Sequence, residues 1–274
     1  MAEAIVAGLF GLLIGSFLNV CIYRMPRDLS VVHPRSFCPH CEKPIAWYDN
    51  IPLLTWMLLK GACRNCGGAI PWRYPAVELL TGVLFFTGVL LLGSTLAAFK
   101  FCLFAAIQVA LIFTDLEERI LPDEFTIGGT VAGLLLAWFV PMPPSVLGFI
   151  LATELDPRTV SVIESAFGGV FLATVLWSIG ALYKRIRGRE GLGFGDVKMV
   201  ACIGAFLGLG PALLTVVAGS VLGSICGLVF IWLARKEASE YELPFGSFLG
   251  IAAVAIALRA GPLEAWLGPI QGGG

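Results

Sequence analysis

Eight apolar runs punctuate the sequence, at 4–23, 75–92, 97–114, 125–140, 160–183, 197–209, 213–233 and 245–258. No other feature constrains the fold as strongly, because a helix needs roughly 20 apolar residues to cross the hydrocarbon core of a bilayer. Several runs are shorter than that, which leaves their boundaries and tilts open. Composition agrees. Hydrophobic residues make up 58 % of the 274 and charged residues only 14 %, whereas a soluble domain carries about 25 % charged residues. From 58 % of 274 come about 159 apolar residues, enough for about eight spans. The same proportions exclude a secreted disulfide scaffold, a disordered chain and a basic nucleic-acid-binding protein. The expected fold is an all-α polytopic membrane protein of about eight transmembrane helices in a lipid bilayer, with no nucleic-acid partner. Gly204, Gly208, Gly219, Gly223 and Gly227 lie inside the runs, where small residues let helix backbones approach closely.

The charged minority orients the chain. The first run lacks a basic leading segment, carries Glu3 instead and is followed by Arg24 and Arg27, which predicts an uncleaved helix with its N-terminus outside. With eight spans, the inside segments are 24–74, 115–124, 184–196 and 234–244. Counting Lys198 with them, they hold 15 of the 18 Lys and Arg residues; Lys100, Arg158 and Arg259 fall outside. Cytoplasmic loops carry such an excess. The net charge of −1 conceals this asymmetry. The expected organisation is a first helix (1–23), a cytoplasmic cysteine loop (24–74), a seven-helix membrane domain (75–266) and a tail (267–274).

The loop reads Cys38-Pro-His-Cys41, 21 residues, then Cys63-Arg-Asn-Cys66. A two-residue spacer lets two thiolates face one tetrahedral ion, and two such pairs complete the shell of a zinc ribbon. Four thiolates leave no open coordination position, so a structural zinc is expected rather than a catalytic one. Gly67-Gly68 suits the tight turn after the second pair, where a positive φ is needed. His40 stands inside the first pair but is not needed as a ligand. Cys21, Cys102, Cys202 and Cys226 lie in the apolar runs and are read as small buried hydrophobes.

Two acids have a more suggestive setting. Asp115 ends the third span and Asp196, in Gly193-Phe194-Gly195-Asp196-Val197-Lys198, opens the sixth. The topology puts both on the inside edge of the bilayer, where ionisable groups are costly and point to function. Two carboxylates sharing a partly dry site do not both ionise easily. One keeps its proton while the other activates water, the division of labour of an aspartic protease. The plainer alternatives are an N-cap for Asp196 and a lipid-edge marker for Asp115. Glu117, Glu118, Asp123 and Glu124 are read as solvated residues or first-turn acids of the next helix.

Taken together, these features resemble the type IV prepilin peptidases, bifunctional leader peptidases and N-methyltransferases of bacterial pilus and type II secretion systems. The likeness runs through Gly15-Ser16-Phe17-Leu18-Asn19-Val20 with Arg24 and Pro26, the paired cysteines, Pro75-Ala76-Val77-Glu78-Leu79-Leu80, Asp115 with Leu121-Pro122-Asp123, the Gly193–Lys198 motif and Pro244-Phe245-Gly246. Ser247 departs from the Pro common in that family and is expected to alter local packing without touching the acids. The resemblance implies prepilin and pseudopilin substrates in the inner membrane, whose basic leader is cut after Gly on the cytoplasmic side. It further implies S-adenosylmethionine as methyl donor for the new N-terminal residue, usually Phe. Asp115 and Asp196 are then the catalytic dyad, with Gly193, Gly195, Lys198, Asp123 and Glu78 in substrate-binding or supporting roles. Gly193 and Gly195 would admit an extended peptide, Lys198 would bias the dyad's proton or pair with an acid, and Glu78 would hold an ammonium or pair with Arg73. Asp49, Glu42 and Glu117 are candidates for gripping the basic leader. No Rossmann fingerprint follows a strand. Two rivals are a peptidase without methyl transfer, which the large cysteine loop disfavours, and a transporter, which would set its acids at mid-bilayer in two inverted halves.

Overall fold

The apolar runs lie in helices of the computed structural model, except that 125–140 ends one residue past its helix and 197–209 is broken at Gly208; the structure describes residues 1–142, 155–189, 191–234 and 243–267. The helices are α1 (Ala2–Arg24), the short α2 (Leu54–Leu58), α3 (Arg73–Leu92), α4 (Leu96–Glu118) and α5 (Asp123–Phe139). They continue as α6 (Pro157–Arg187), α7 (Phe194–Leu207), α8 (Leu209–Ala234) and α9 (Phe245–Leu267). Among the described residues there is no strand, only two isolated antiparallel bridges, Phe37 with Pro44 and Ala62 with Ala69. The all-α membrane reading therefore holds. Among the described residues five helices, α1, α3, α4, α6 and α8, are long and apolar enough to cross a bilayer. Helices α5, of 17 residues, and α7, of 14, are shorter. Positions 235–242 of the fourth inside segment, with Arg235 and Lys236, and positions 268–274 of the expected tail lie outside the described residues.

Helix ends are set by capping chemistry rather than by hydropathy, so they overrun the apolar runs. Helix α6 begins at Pro157, whose missing N–H costs nothing in a first turn, behind Asp156, whose carboxylate accepts from Arg158 N at 3.1 Å. It ends at Gly188 with φ 70°, the left-handed stop that glycine favours. Helix α4 continues past the predicted end at 114, with Arg119 N donating to Asp115 O at 3.1 Å. Asp115 is thus held inside a helix instead of trailing from one. Helix α5 carries Asp123 and Glu124 in its first turn, as expected for acids at a helix N-terminus.

Two compact units emerge, Met1–Ala110 and Leu111–Gly274. The division falls inside α4 and not at the expected 74/75 boundary, because α1 packs along α3 and joins the cysteine loop to both. That seam is lined by small residues. A Cβ on Gly11 would sit 2.8 Å from Thr81 O, and one on Gly15 only 2.7 Å from Glu78 Cα. In the second unit α7 is the core element. Helices α5, α6 and α8 pack on it, and its Met199, Val200, Cys202, Ile203, Ala205 and Phe206 are buried. A Cβ on Gly204 would lie 2.4 Å from Gly168 O of α6, and one on Gly133 of α5 would lie 2.9 Å from the Ala205 carbonyl carbon. Gly219 of α8 meets Leu249 of α9 in the same manner. The outward faces carry exposed Phe10, Phe17, Leu135, Trp177, Leu228 and Trp232, a surface suited to lipid.

Candidate active site

In the second unit, the end of α4 and the first turns of α7 and α9 meet around Leu121. A Cβ on Gly195 would lie 3.2 Å from Leu121 Cβ, and one on Gly246 would lie 3.1 Å from Leu121 Cδ1 and 3.2 Å from Asp115 Cγ. Glycine at both positions lets α7 and α9 close on the same leucine. Gly195 therefore serves helix packing against Leu121. Leu121 sits two residues before Asp123, on the short link between α4 and α5.

That convergence brings the two acids together. Asp115 is 5 % exposed, and Asp196 is partly buried and lies within reach of the Asp115 charge. Asp196 is not the N-cap of α7. The cap is Gly193, and Asp196 stands three residues later in the first turn. Its carboxylate folds back toward the cap, accepting from the Gly193 backbone N–H, while a Cβ on Gly193 would lie 3.2 Å from Asp196 Oδ2. The bare Gly193 thus leaves room for the carboxylate itself.

Ser247 corrects the expectation that it leaves the acids untouched. Its backbone N–H donates to Asp115 Oδ2 at 2.7 Å, and its hydroxyl Oγ lies 2.8 Å from the same oxygen and 3.0 Å from Ile112 O. Sequence reading could not find this pair, because the two residues are 132 positions apart. The only local signal was the departure from proline, which has no N–H to give. Lys198 is engaged by Asp123, in an ion pair that ties α7 to the start of α5. Its ammonium also sits 5.4 Å from the centre of the Phe194 ring.

The first unit holds the cysteines and Glu78. The four sulfurs of Cys38, Cys41, Cys63 and Cys66 lie within 4.8 Å of one another. The Cys38 and Cys66 sulfurs are 3.8 Å apart, the edge of a tetrahedron built on metal–sulfur bonds of about 2.3 Å. The two Cys-x-x-Cys turns are copies of one another. Glu42 N donates to Cys38 O at 2.8 Å and Cys38 N to Lys43 O at 3.0 Å; Gly67 N donates to Cys63 O at 2.9 Å and Cys63 N to Gly68 O at 2.8 Å. Glu42 and Gly67 occupy the same left-handed position, at φ 56° and 68°. The backbone N–H groups of Cys66 and Asn65 pull the Cys63 thiol down to about 7, whereas Cys66, despite the Gly68 N–H, is pushed up to about 11 by burial and by its bonds to Cys41, Cys63 and Cys38. The donor set and its spacing fit a tetrahedral thiophilic ion. His40 stacks its ring against Gly68 instead of joining the sulfurs.

Glu78, 7 % exposed on α3, accepts from Leu53 N at 2.8 Å, while the Arg73 guanidinium lies 4.6 Å from the centre of the Tyr74 ring. Asp49, expected to be free for a basic leader, is gripped by Arg64 through bonds of 2.6 to 3.0 Å. That hydrogen bonding holds its carboxyl below the usual carboxylate range.

These features define a class: a helical membrane protein with two acids in one partly buried site and a four-cysteine cluster that could hold a metal ion. The comparisons make this specific. Residues 9–92 match the bacterial peptidase A24 N-terminal domain, and residues 102–228 match the type IV leader peptidase family. The chain is 35 % identical over 286 residues to a prepilin leader peptidase/N-methyltransferase of Aeromonas salmonicida, covering 94 % of this chain and 91 % of the relative. It is 34 % identical over 273 residues to a type 4 prepilin-like proteins leader peptide-processing enzyme of Escherichia coli, covering 93 % of each. To a prepilin leader peptidase/N-methyltransferase of Myxococcus xanthus it is 37 % identical over 232 residues, covering 85 % of this chain and 64 % of that one. No solved structure matches it. The chain belongs to the type IV leader peptidase family, whose members are aspartic peptidases, and is a multi-pass protein of the bacterial inner membrane.

Proposed function

We propose that the chain cleaves the basic leader of prepilins and pseudopilins after Gly, at the cytoplasmic edge of the membrane, with Asp115 and Asp196 as the catalytic dyad. The observation that carries this is the meeting of those two acids, from helices far apart in sequence, in one partly buried site. The ionised member of the pair takes a proton from water as the water oxygen attacks the Gly carbonyl carbon. The protonated member hydrogen-bonds the developing oxyanion and then gives its proton to the leaving amine. The pair titrates as a unit, so the proton belongs to both acids.

Ser247 suits either state of Asp115. Its hydroxyl has one proton and two neighbours, Asp115 Oδ2 and Ile112 O. With Asp115 ionised, the hydroxyl donates to the carboxylate. With Asp115 protonated, it swings to Ile112 O and accepts from the acid. A group that must cycle between both forms keeps a partner throughout.

The relatives' names extend the reading to methylation of the newly freed N-terminus, for which S-adenosylmethionine supplies the methyl group. Cys38, Cys41, Cys63 and Cys66 would hold zinc as a structural staple. The membrane topology proposed is eight spans, α1 and α3 to α9, with the cysteine loop inside and both termini periplasmic.

Asp115→Asn and Asp196→Asn should each lower leader cleavage by about 10³-fold or more, within the range of acid–base catalysis, with no change in thermal midpoint. Processing of a prepilin at the normal rate by either folded variant would overturn the dyad. Radiolabel from S-adenosylmethionine appearing in the cleaved product separates the bifunctional enzyme from a peptidase that does not methylate.

A further inference from the structure

The first unit encloses a cavity of about 160 Å³ between the cytoplasmic ends of α1 and α3 and the cysteine loop. Ser16, Asn19 and Tyr23 face it from α1, and Tyr74 and Glu78 from α3. These positions follow the three- and four-residue spacing of one helical face. None of these residues belongs to the Asp115/Asp196 site.

Asn19 is the unusual member. It is 2 % exposed, and its Nδ2 donates to Tyr74 O at 3.0 Å and to Gly15 O at 3.3 Å. Both partners are carbonyls, so the amide orientation is determined: nitrogen toward them, oxygen away. Asn19 Oδ1 is left buried with no hydrogen-bond partner, a condition that costs about 1–3 kcal/mol unless a ligand relieves it. Glu78 lines the same cavity; its carboxylate accepts from Leu53 N through Oε2 and from the Ser16 hydroxyl, and retains acceptor capacity beyond those two bonds. The arginines nearby have other partners. Arg24 donates to Ser30 O and Arg35 O, and Arg64 is held by Asp49. Trp56 also lines the cavity with its indole N–H engaged by Ile70 O at 3.2 Å, leaving only ring surface for a guest. One buried acceptor without a donor, a carboxylate with spare lone pairs and aromatic walls together describe a receptor for a cation bearing N–H groups, in a lining that also includes Lys43 and the hydroxyls of Ser16, Tyr23 and Tyr74.

We propose that this cavity is the methyl-transfer site, with Asn19 Oδ1 and the Glu78 carboxylate accepting the N–H groups of a primary ammonium, and Trp56, Tyr23 and Tyr74 walling the space beside it. The proposal rests on the methyltransferase reading above. Two species share that chemistry, the α-ammonium of S-adenosylmethionine and the N-terminal amine of the cleaved chain. The transfer balances without another reagent. The deprotonated nitrogen's lone pair forms the N–C bond as the C–S bond breaks, the released pair stays on sulfur as a neutral thioether, and the new secondary ammonium later loses a proton to water.

The test uses the full chain purified in detergent, with Glu78→Gln, Asn19→Leu and Asn19→Asp. Glu78→Gln preserves shape and the Leu53 bond but removes the charge. Asn19→Asp keeps an acceptor oxygen, whereas Asn19→Leu has none. Three quantities are measured: equilibrium binding of S-adenosylmethionine and of S-adenosylhomocysteine, KM for methylation of a pre-cleaved pilin peptide, and leader cleavage with thermal midpoint as the folding control. Glu78→Gln and Asn19→Leu should lose about tenfold or more, the scale of one such hydrogen bond, with the thermal midpoint retained and Asn19→Asp less affected than Asn19→Leu. Weaker binding of both nucleosides assigns the ammonium to the cofactor. A raised KM for the peptide alone assigns it to the substrate. If Asn19→Leu does not fold, Glu78→Gln decides on the same readouts. Wild-type binding and KM in a folded Glu78→Gln would overturn the site while leaving the methyltransferase reading intact. A wild-type protein that neither binds S-adenosylmethionine nor transfers label overturns both.

Discussion

The hydroxyl of Ser247 is one atom away from the reaction it is proposed to serve. Ser247→Ala removes that donor but keeps the backbone N–H on Asp115 Oδ2. One hydrogen bond to a charged group contributes about 1.5 kcal/mol or more, so cleavage kcat should fall about tenfold, with KM unchanged and the pH–rate profile displaced. An unaltered profile would reduce Ser247 to packing. Asp49 offers a milder case. The Arg64 guanidinium lowers its carboxyl below the ordinary value near 4. The pair therefore stabilises the loop above that value and stops doing so as pH falls through the lower, folded one. Exposure and salt keep the effect small. Asp49→Asn should quicken amide exchange in the cysteine loop at pH 7 and make progressively less difference as pH falls through the lowered carboxyl range. Both acids of the proposed dyad stood out in the sequence, because a carboxylate at the membrane edge needs a reason to be there. Ser247 was not, since its relation to Asp115 exists only after α9 docks beside α4.

At the level of elements, the two cysteine turns invite a reciprocal experiment. They share one hydrogen-bond pattern, yet one has Gly67 in the left-handed position and the other Glu42. A side chain there costs about 1–2 kcal/mol. Gly67→Ala should lower the loop's thermal midpoint and its hold on zinc, while Glu42→Gly should leave both unchanged or raise them, as scanning calorimetry and metal content would report. The cysteine spacing alone announced a tetrahedral site. The left-handed Glu42 was hidden, because nothing in Cys-Glu-Lys-Pro distinguishes it from an ordinary loop. Glycines in the apolar runs were read correctly as close-contact positions, but only the packed helices identify partners, such as Gly204 with Gly168 and Gly219 with Leu249.

For the molecule as a whole, the placement of cations predicts its orientation. Ser94→Cys, in the short α3–α4 link, should react with an impermeant maleimide in intact spheroplasts. Gly188→Cys, at the end of α6, should react only after permeabilisation; the reverse pattern would invert the topology. Such global properties follow from hydropathy and charge because lipid acts on every residue independently. An apolar run enters the bilayer and a cation stays on its side, whatever the neighbouring helices do. So the sequence by itself determined the class of fold, the apolar segments and the acids worth suspecting. The tertiary structure alone decided what those groups touch: Ser247 on Asp115, Leu121 between two glycines, Lys198 on Asp123, and Asn19 on the Tyr74 carbonyl. Those contacts join residues distant along the chain, and they arise from helix packing, which depends on all partners at once.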